Sequence, residues 1–133
     1  MGTANIKLVQ DLYAAFGRGD VPGLLAGLTA DVDWQTFGPA KDYPVFGPRK
    51  GPAGVTDFLI AVGANEDFSE FSPREFYAAD DKVFVLGFCA GKLKKTGKPF
   101  ACEFTHVFTV AGGKVSKFRE YTDTAQFVDG YRG

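Results

Sequence analysis

Three segments in the first half of the chain repeat apolar residues every three or four positions, the spacing that lines one face of a helix. The first segment covers residues 4–17. The second begins after Asp20, a residue type that caps helix starts, and it ends near Thr29. The third covers about residues 53–63. The pattern therefore predicts two consecutive helices and, after a gap, a third helix.

Most of the remaining chain alternates apolar and polar residues, a pattern typical of strands. One strand is predicted over residues 31–37. Four more follow in the second half of the chain, at residues 74–79, 82–91, 100–110 and 114–123. Residues 125–131 form either a short final helix or a tail. Residues 38–52 are crowded with Gly and Pro, so we expect a loop without a regular element there.

Strands that cluster late in the chain favour a segregated α+β architecture over a parallel α/β one. The length predicts a single domain, residues 1–133. The strand at 82–91 is apolar on both faces. One face can meet the helices, and the other, which includes Val83 and Val85, needs a different cover. We therefore expect a homodimer through the outer face of the sheet.

Composition narrows the range of partners and cofactors. The net charge is −1, with acidic and basic residues interspersed, which argues against binding to nucleic acid. No apolar run approaches the ~20 residues that span a bilayer, and no signal peptide is visible, so we expect a cytoplasmic protein without membrane contact. The spacing of Cys89 and Cys102 fits no zinc motif, and there is one histidine. We expect free thiols, no metal and no cofactor.

Aromatic residues make up 15% of the chain and include fourteen Phe. Such a surplus either fills a dense core or lines a pocket with rings. On the strand at 100–110, the face that carries Phe104, His106 and Phe108 is otherwise apolar, so we expect it to face the core. Two interpretations of His106 stay open, a core histidine satisfied by a hydrogen bond and a group for acid–base catalysis.

The facing of the last strand depends on the turn that precedes it. A three-residue loop with glycine would pair Val110 with Lys114 and His106 with Phe118, and it would turn Glu120 inward. Glu120 would then be either a catalytic residue or an ion-pairing residue at the pocket rim. A loop of two or four residues would instead turn inward the other face, which carries Lys117, Arg119, Tyr121 and Asp123. Because that register buries two basic residues, the first register is preferred.

Several segments of the chain carry a family resemblance. They read Tyr-Ala-Ala-Phe-Gly-Arg-Gly-Asp and then Leu-Thr-Ala-Asp-Val-Asp-Trp before the loop, Gly-Pro-Ala-Gly-Val at the third helix, and His-Val-Phe-Thr-Val with Arg-Glu-Tyr-Thr-Asp in the last hairpin. In this order and spacing they resemble the nuclear transport factor 2-like superfamily. This superfamily includes SnoaL-like polyketide cyclases and ketosteroid isomerases, and the resemblance covers nearly the whole chain.

The resemblance implies a cone-shaped, cystatin-like fold, in which a curved antiparallel sheet is closed by three N-terminal helices. It implies a deep pocket between the sheet and the helices, where the surplus aromatic residues would form part of the wall. A small hydrophobic molecule is the implied ligand. Homodimers through the convex face of the sheet are usual in the family, in agreement with the strand that is apolar on both faces.

The resemblance also implies catalytic roles for two residues. SnoaL-like cyclases use an inward acid on the last strand as general base, with a histidine nearby on the preceding strand. Glu120 and His106 are similar in position and spacing. Glu stands here in place of the usual Asp, which lengthens the side chain by about 1.5 Å. The residues that ketosteroid isomerases use are replaced, and Thr36 falls near the position of their base.

The remaining candidates would contact a ligand. Trp34 on the first strand is either a core ring or a stacking surface with an N–H donor. Tyr13 on the first helix either places its hydroxyl at the pocket mouth or lies on the surface of the helix. Asp123 either caps the backbone where the sheet meets the tail or serves as a third-choice site residue. The inward positions that complete the set are Thr36, Phe104 and Phe118.

Two functions are compatible with these residues. The first is a cofactor-free isomerase, cyclase or dehydratase acting on a small hydrophobic carbonyl compound. In it, Glu120 would take a proton or activate water, and His106 would orient the carbonyl. The second is a non-catalytic protein of the same fold that binds a small ligand or acts as a dimeric adaptor. A side-chain link between Glu120 and His106 in a pocket open to solvent would favour the enzyme.

Overall fold

Helices lie at both ends of the chain and between the first strands. The structure, a computed structural model, describes residues 2–133. The helices are α1 (Gly2–Gly17), α2 (Val21–Ala26), α3 (Gly51–Asn65) and α4 (Thr124–Arg132). The three predicted helices are therefore present, and the final segment is a helix and not a tail. Within residues 2–133, no helix combines the length and the apolar character needed to cross a membrane.

The strands form one curved, unclosed sheet in the order β2-β1-β6-β5-β4-β3. Their bounds are β1 (Leu28–Thr36), β2 (Gly47–Lys50), β3 (Glu66–Ala79), β4 (Lys82–Leu93), β5 (Pro99–Ala111) and β6 (Lys114–Tyr121). Neighbouring strands are antiparallel except β1 and β6, which run parallel. The predicted α+β fold with a curved sheet and helices is confirmed, and this parallel pair is an addition to it.

Two strands differ clearly from the prediction, and each contains a proline, a residue that is not typical of strands. Residues 38–52 were expected to hold no regular element, yet β2 lies there and pairs with β1 alone. Pro48 is tolerated because β2 is an edge strand, where one side of the backbone needs no partner. Strand β3 begins at Glu66 and not near residue 74. It is the other edge strand, and the pairing register shifts between Pro73 and Glu75.

The last hairpin corrects the predicted register. Ala111 pairs with Lys114, so the turn has two residues, glycines with φ of 58° and 78°, a conformation that favours glycine. The predicted pairs of Val110 with Lys114 and of His106 with Phe118 are therefore wrong. A register shift after Thr109 adds one residue to β6, and it restores the inward facing of the positions beyond it. His106 pairs directly with Glu120.

The core lies between the concave face of the sheet and the helices. Val83 and Val85 on β4 are fully buried there, so the expectation that they face outward is wrong. Their neighbours on the strand point the other way, because successive side chains alternate between faces. Phe84 is 36% exposed and Leu86 is 39% exposed on the convex face. The strand is apolar on both faces, as predicted, but Val83 and Val85 face the core and Phe84 and Leu86 face outward.

A glycine on β4 makes room for a ring of the core. A Cβ at Gly87 would lie 2.3 Å from Cζ of Phe104 and 2.7 Å from the carbonyl oxygen of Ser72. We expect Gly87→Ala to lower the free energy of unfolding by about 1–3 kcal/mol, because backbone or ring must shift. A Cβ at Gly63 in α3 would have no heavy atom within 4 Å. We therefore expect Gly63→Ala to raise the free energy of unfolding by up to about 1 kcal/mol, because alanine favours the helix. Urea denaturation measures both free energies of unfolding. Equal effects of Gly87→Ala and Gly63→Ala would contradict the close packing at Gly87.

Candidate active site

A cavity that opens to solvent lies between the sheet and the helices. Its wall is mostly apolar, with many aromatic rings. The polar side chains that reach it include Tyr13, Thr36, Glu66, His106, Glu120 and Thr122. An apolar cavity with a few convergent polar groups is the usual form of a small-molecule site.

Four of these side chains form one hydrogen-bonded series, called the polar chain below. The Tyr13 hydroxyl lies 2.7 Å from Nδ1 of His106, and Nε2 of His106 lies 2.7 Å from Oε2 of Glu120. The Thr36 hydroxyl donates to Oε1 of Glu120 over 2.9 Å. Both carboxylate oxygens and both ring nitrogens therefore have partners within the protein.

Strand register brings the polar chain together. His106 and Glu120 are directly paired on the antiparallel strands β5 and β6. Glu120 is also paired with Thr36 across the parallel strands β6 and β1. Three neighbouring strands thus place three side chains in one row on the concave face, and Tyr13 approaches from α1. The sequence pattern indicated that His106 and Glu120 share a face, and the structure brings them into contact.

Hydrogen bonding fixes the state of the Glu120 carboxyl. Burial alone would raise the pKa of Glu120, but neighbouring His106 and the hydrogen bonds from His106 and Thr36 outweigh it and hold the pKa below its usual value. An ionised carboxylate only accepts hydrogen bonds, so Nε2 of His106 carries a hydrogen and donates it. The Tyr13 O–H donates to Nδ1 when the ring is neutral and accepts from Nδ1–H when the ring is protonated.

The tyrosine at the other end of the polar chain stays a phenol. Burial, with a smaller contribution from the charge of Glu120, raises the pKa of Tyr13 far above its usual value. Its ring packs edge-on against Phe71, Phe76 and Phe108. These rings fix the orientation of the hydroxyl towards His106. The sequence placed Tyr13 at the pocket mouth, whereas the structure places it against the central histidine.

Aromatic rings surround the polar chain on the concave face. Trp34 is stacked on Phe118 with ring centroids 4.0 Å apart, and Phe104 is stacked on His106 at 4.3 Å. All of these residues line the cavity. Within residues 2–133, the buried Nε1 of Trp34 has no hydrogen-bond partner. A buried donor without a partner is costly.

Asp123 lies outside the cavity wall, in contrast to its prediction as a ligand-binding residue. Its side chain accepts from the backbone N–H of Gln126 and caps the start of α4. An aspartate at this position satisfies a helix donor that has no partner inside the helix. The geometry therefore supports the structural alternative considered for Asp123, and the ligand-binding alternative gains no support.

Sequence patterns missed a second pair of polar residues, of which Glu66 lines the cavity and Tyr43 lies behind it. Glu66 stands where α3 gives way to β3, and Tyr43 lies in the loop before β2. The Tyr43 hydroxyl donates to Oε2 of Glu66 over 2.7 Å. Burial raises the pKa of Glu66 to about 8, the charge of Glu120 adds to the rise, and the hydrogen bond from Tyr43 opposes it. Neither residue belongs to a periodic pattern, so no sequence signal pointed to them.

The two cysteines are free and lie close together on paired strands. Cys89 lines the cavity, and its Sγ is 3.9 Å from Sγ of Cys102. Within residues 2–133, no group of His, Cys, Asp and Glu side chains has the arrangement of a metal site.

Comparison with known proteins places this geometry in a family. The model of the SnoaL-like domain matches residues 9–118. The chain belongs to the SnoaL-like family. The SnoaL-like chain is also similar to the solved structure of an NTF2-like protein from Burkholderia xenovorans LB400, at 33% identity over 98% of each chain and a TM-score of 0.90.

Two further solved structures resemble the SnoaL-like chain. One is TerC co-crystallized with polyporic acid, at 29% identity, 98% coverage of this chain, 99% coverage of that chain and a TM-score of 0.85. The other is a protein proposed to be a polyketide cyclase, from Xanthomonas campestris pv. campestris, at 22% identity, 98% coverage of each chain and a TM-score of 0.78. At that identity the second likeness shows the fold alone. No curated protein matches the chain.

The lowered pKa of Glu120 predicts a dependence of stability on pH. A carboxyl with a lowered folded pKa stabilises the fold above its ordinary value of 4.5 and loses that contribution as pH falls through the folded value. We therefore expect wild type to exceed Glu120→Gln in free energy of unfolding above pH 5, and the difference to shrink towards pH 3. Urea denaturation across this range measures it.

Glu103→Gln is the matched control for this measurement. Glu103 lies on β5 near His106, and its side chain is exposed. This variant should follow wild type at every pH. A difference between wild type and Glu120→Gln that stays constant from pH 7 to pH 3 would contradict the ionised, hydrogen-bonded Glu120.

Proposed function

We propose that this SnoaL-like protein performs cofactor-free acid–base chemistry on a small hydrophobic carbonyl compound. The observation that carries the proposal is the carboxylate of Glu120, held by His106 and Thr36 at the wall of a largely aromatic cavity. A general base needs an ionised form, a fixed position and access to its substrate. The lowered pKa of Glu120 keeps its carboxyl ionised. The hydrogen bonds from His106 and Thr36 fix its position, and the cavity gives a substrate access to it.

The proposed reaction begins at a carbon next to the carbonyl. Glu120 takes the proton from this carbon, and the electron pair of the broken C–H bond moves to the carbonyl oxygen to give an enolate. Return of the proton from Glu120 to another carbon gives isomerisation. Attack by the enolate carbon on a second carbonyl, whose oxygen then takes the proton from Glu120, gives cyclisation. Departure of a β-hydroxyl group as water, with the proton from Glu120, gives dehydration.

The proposed role of His106 differs from the one expected from the sequence. There it was to orient the carbonyl, but both of its nitrogens are engaged, by Tyr13 and by Glu120. We therefore propose that His106 is a positioning residue. It holds the carboxylate of Glu120 in place and stabilises its charge, and Tyr13 holds the ring from the other side. Proton abstraction falls to Glu120 alone.

One comparison supports a small organic ligand, and the cavity wall supports a ligand with an aromatic character. TerC, which is 29% identical, was crystallized with polyporic acid, so a related chain has been studied with a small organic ligand. In the present chain, Trp34, Phe104 and Phe118 offer ring faces or edges to the cavity. The second candidate function, binding without catalysis, uses the same cavity. Its support is the apolar character of most of the wall.

Proton exchange at an aromatic ketone tests the catalytic proposal. We expect the wild-type protein to speed the exchange of the C1 protons of 2-tetralone for deuterium in D₂O, followed by ¹H NMR. Glu120→Gln should slow the catalysed exchange by at least about 100-fold, because general bases contribute about 10²–10⁴ in rate. Trp34 is the only tryptophan, so its fluorescence measures whether the variant still binds the ketone.

The exposed Glu103→Gln serves again as the control and should retain the wild-type exchange rate. Unchanged exchange in Glu120→Gln would overturn the role of Glu120. Binding of 2-tetralone without any catalysed exchange by the wild type would overturn the catalytic proposal and favour the non-catalytic binding protein.

We further propose that two copies of the chain pair through the convex face of the sheet. Four large apolar side chains there form the convex patch, Tyr77, Phe84, Leu86 and Tyr121, with exposed fractions of 36–54%. They lie on neighbouring strands, since Tyr77 pairs with Phe84, and Leu86 and Tyr121 both pair with Thr105. An exposed apolar cluster of this kind is typical of a surface that another protein covers.

Leu86→Glu tests this pairing. A carboxylate in the middle of the convex patch would be desolvated in a dimer, so we expect a dimer in wild type and a monomer of 14.4 kDa in the variant. Light scattering coupled to size exclusion measures both. Ile60→Glu changes an equally apolar residue that is 64% exposed on α3, and it should stay dimeric. A monomeric wild type, or a dimeric Leu86→Glu, would contradict the proposal.

A further inference from the structure

The mechanism proposed above leaves Glu66 and Tyr43 without a role, although both are polar and largely enclosed. Glu66 pairs with Leu93 at the end of β4, whereas His106 pairs with Val85 near its start. In the sheet, β3 and β6 are separated by two strands, which is about 14 Å across the strands at about 4.8 Å per strand, and Glu66 and Glu120 are also offset along the strand direction, at the levels of Leu93 and Val85 of β4. The curvature of the sheet turns both carboxyls towards one cavity.

Tyr43 fixes the orientation of the Glu66 carboxyl. Tyr43 is fully buried, and its ring packs against Phe46, Phe127 and Tyr131. Burial, with the nearby Glu66 adding to it, raises the pKa of Tyr43 far above its usual value, so it remains a donor to Oε2. A buried hydroxyl held by three rings is a rigid support for one oxygen of Glu66.

The other oxygen of Glu66 is available to a ligand. Oε1 makes no hydrogen bond to any of residues 2–133, and it is not sealed inside the protein. Glu66 also lines a second cavity of about 570 Å³, which shares part of the wall of the first. The shared residues are Phe16, Leu24, Leu59, Val62, Glu66 and Phe68. The carboxyl therefore stands at the junction of two spaces, with Oε1 towards them.

The surroundings of Glu66 keep its carboxyl in the neutral form near pH 7. Burial and the charge of Glu120 raise its pKa to about 8. The titratable side chains around it are Tyr43, Cys89, Cys102 and Glu120, with Asp20 on the wall of the second cavity. None of these is a cation that would stabilise a carboxylate. A neutral carboxyl whose Oε2 accepts from Tyr43 can carry its hydrogen on Oε1 and donate it.

We propose that Glu66 and Tyr43 form a second polar anchor in the cavity, where Oε1–H of Glu66 donates a hydrogen bond to an acceptor oxygen of the ligand. The inference rests on the proposed function, because it places the ligand in the same cavity. This anchor narrows the ligand from any small hydrophobic carbonyl compound to a smaller class. It is a compound with two oxygen functions separated by an aromatic body, one near Glu120 and the other, an ether, carbonyl or hydroxyl oxygen, near Glu66.

An oxygen that accepts hydrogen bonds but does not donate them tests the anchor. The probes are 2-tetralone, which has one oxygen, and its 6-methoxy and 7-methoxy derivatives, which add an ether oxygen at the far ring. The readout is the ratio of their dissociation constants by calorimetry, for wild type, Glu66→Gln and Glu66→Leu at pH 6 and pH 9.5. Circular dichroism confirms that each variant is folded.

At pH 6 we expect wild type to bind one methoxy derivative about 2- to 10-fold more tightly, relative to 2-tetralone, than Glu66→Leu does, which is the effect of one net hydrogen bond. At pH 9.5 the wild type should lose this preference, because the ionised carboxyl only accepts. Glu66→Gln has an amide donor at both pH values and should keep it. Other titrating groups, such as Cys102, are present in all three proteins and do not distinguish them.

The proposal is overturned if wild type shows no preference for either derivative at pH 6, if Glu66→Leu keeps the preference, or if the wild-type preference persists at pH 9.5. These outcomes are separate from failure of the catalytic proposal. The preference is measured by binding alone, whereas the catalytic proposal depends on proton exchange in Glu120→Gln. A protein that prefers the methoxy compound without catalysing exchange would retain the anchor and lose the catalytic role.

Discussion

The hydrogen bond between Nε2 of His106 and Oε2 of Glu120 is the interaction on which the cavity depends. Placing a carboxylate among aromatic rings costs several kcal/mol unless hydrogen bonds replace the lost water. His106 and Thr36 supply them, and they do so only because β1, β5 and β6 are in one register. The extra residue that shifts β6 after Thr109 is therefore a requirement of the site. Without it, Arg119 and not Glu120 would face the rings.

Many aromatic rings of this chain both fill the core and line the cavity. Trp34, Phe104 and Phe118 are each at most 5% exposed, so they contribute to the core by burial. They also line the cavity, where flat rigid faces surround the polar chain without adding competing hydrogen-bond partners. Gly87 makes this possible at Phe104, since any side chain there would displace the ring. The core and the wall of the proposed ligand site are thus built from shared residues, and a change at one of them would affect both.

The features that could be predicted from the sequence are those that follow a periodic pattern of apolar and polar residues. Alternation placed His106 on the inward face of β5 because its neighbours on that face are apolar, and the resemblance of the chain gave the fold class. A bulge has no periodic signal, so Glu120 was placed inward through a loop length that the structure replaces by a two-residue turn and a shift. Pro48 concealed β2. Glu66 and Tyr43 stand at a junction and in a loop, where tertiary packing alone decides their surroundings.

The two glutamates of the cavity differ in charge because their partners differ. Glu120 receives hydrogen bonds from a histidine and a threonine, which favour its ionised form. Glu66 receives one from a tyrosine, too little to offset its burial, and the charge of Glu120 opposes a second charge nearby. The ionised form of Glu120 therefore adds to the burial that keeps Glu66 neutral. A cavity with a carboxylate at one place and a carboxylic acid at another offers a base and a donor to the same molecule, with the aromatic wall between them.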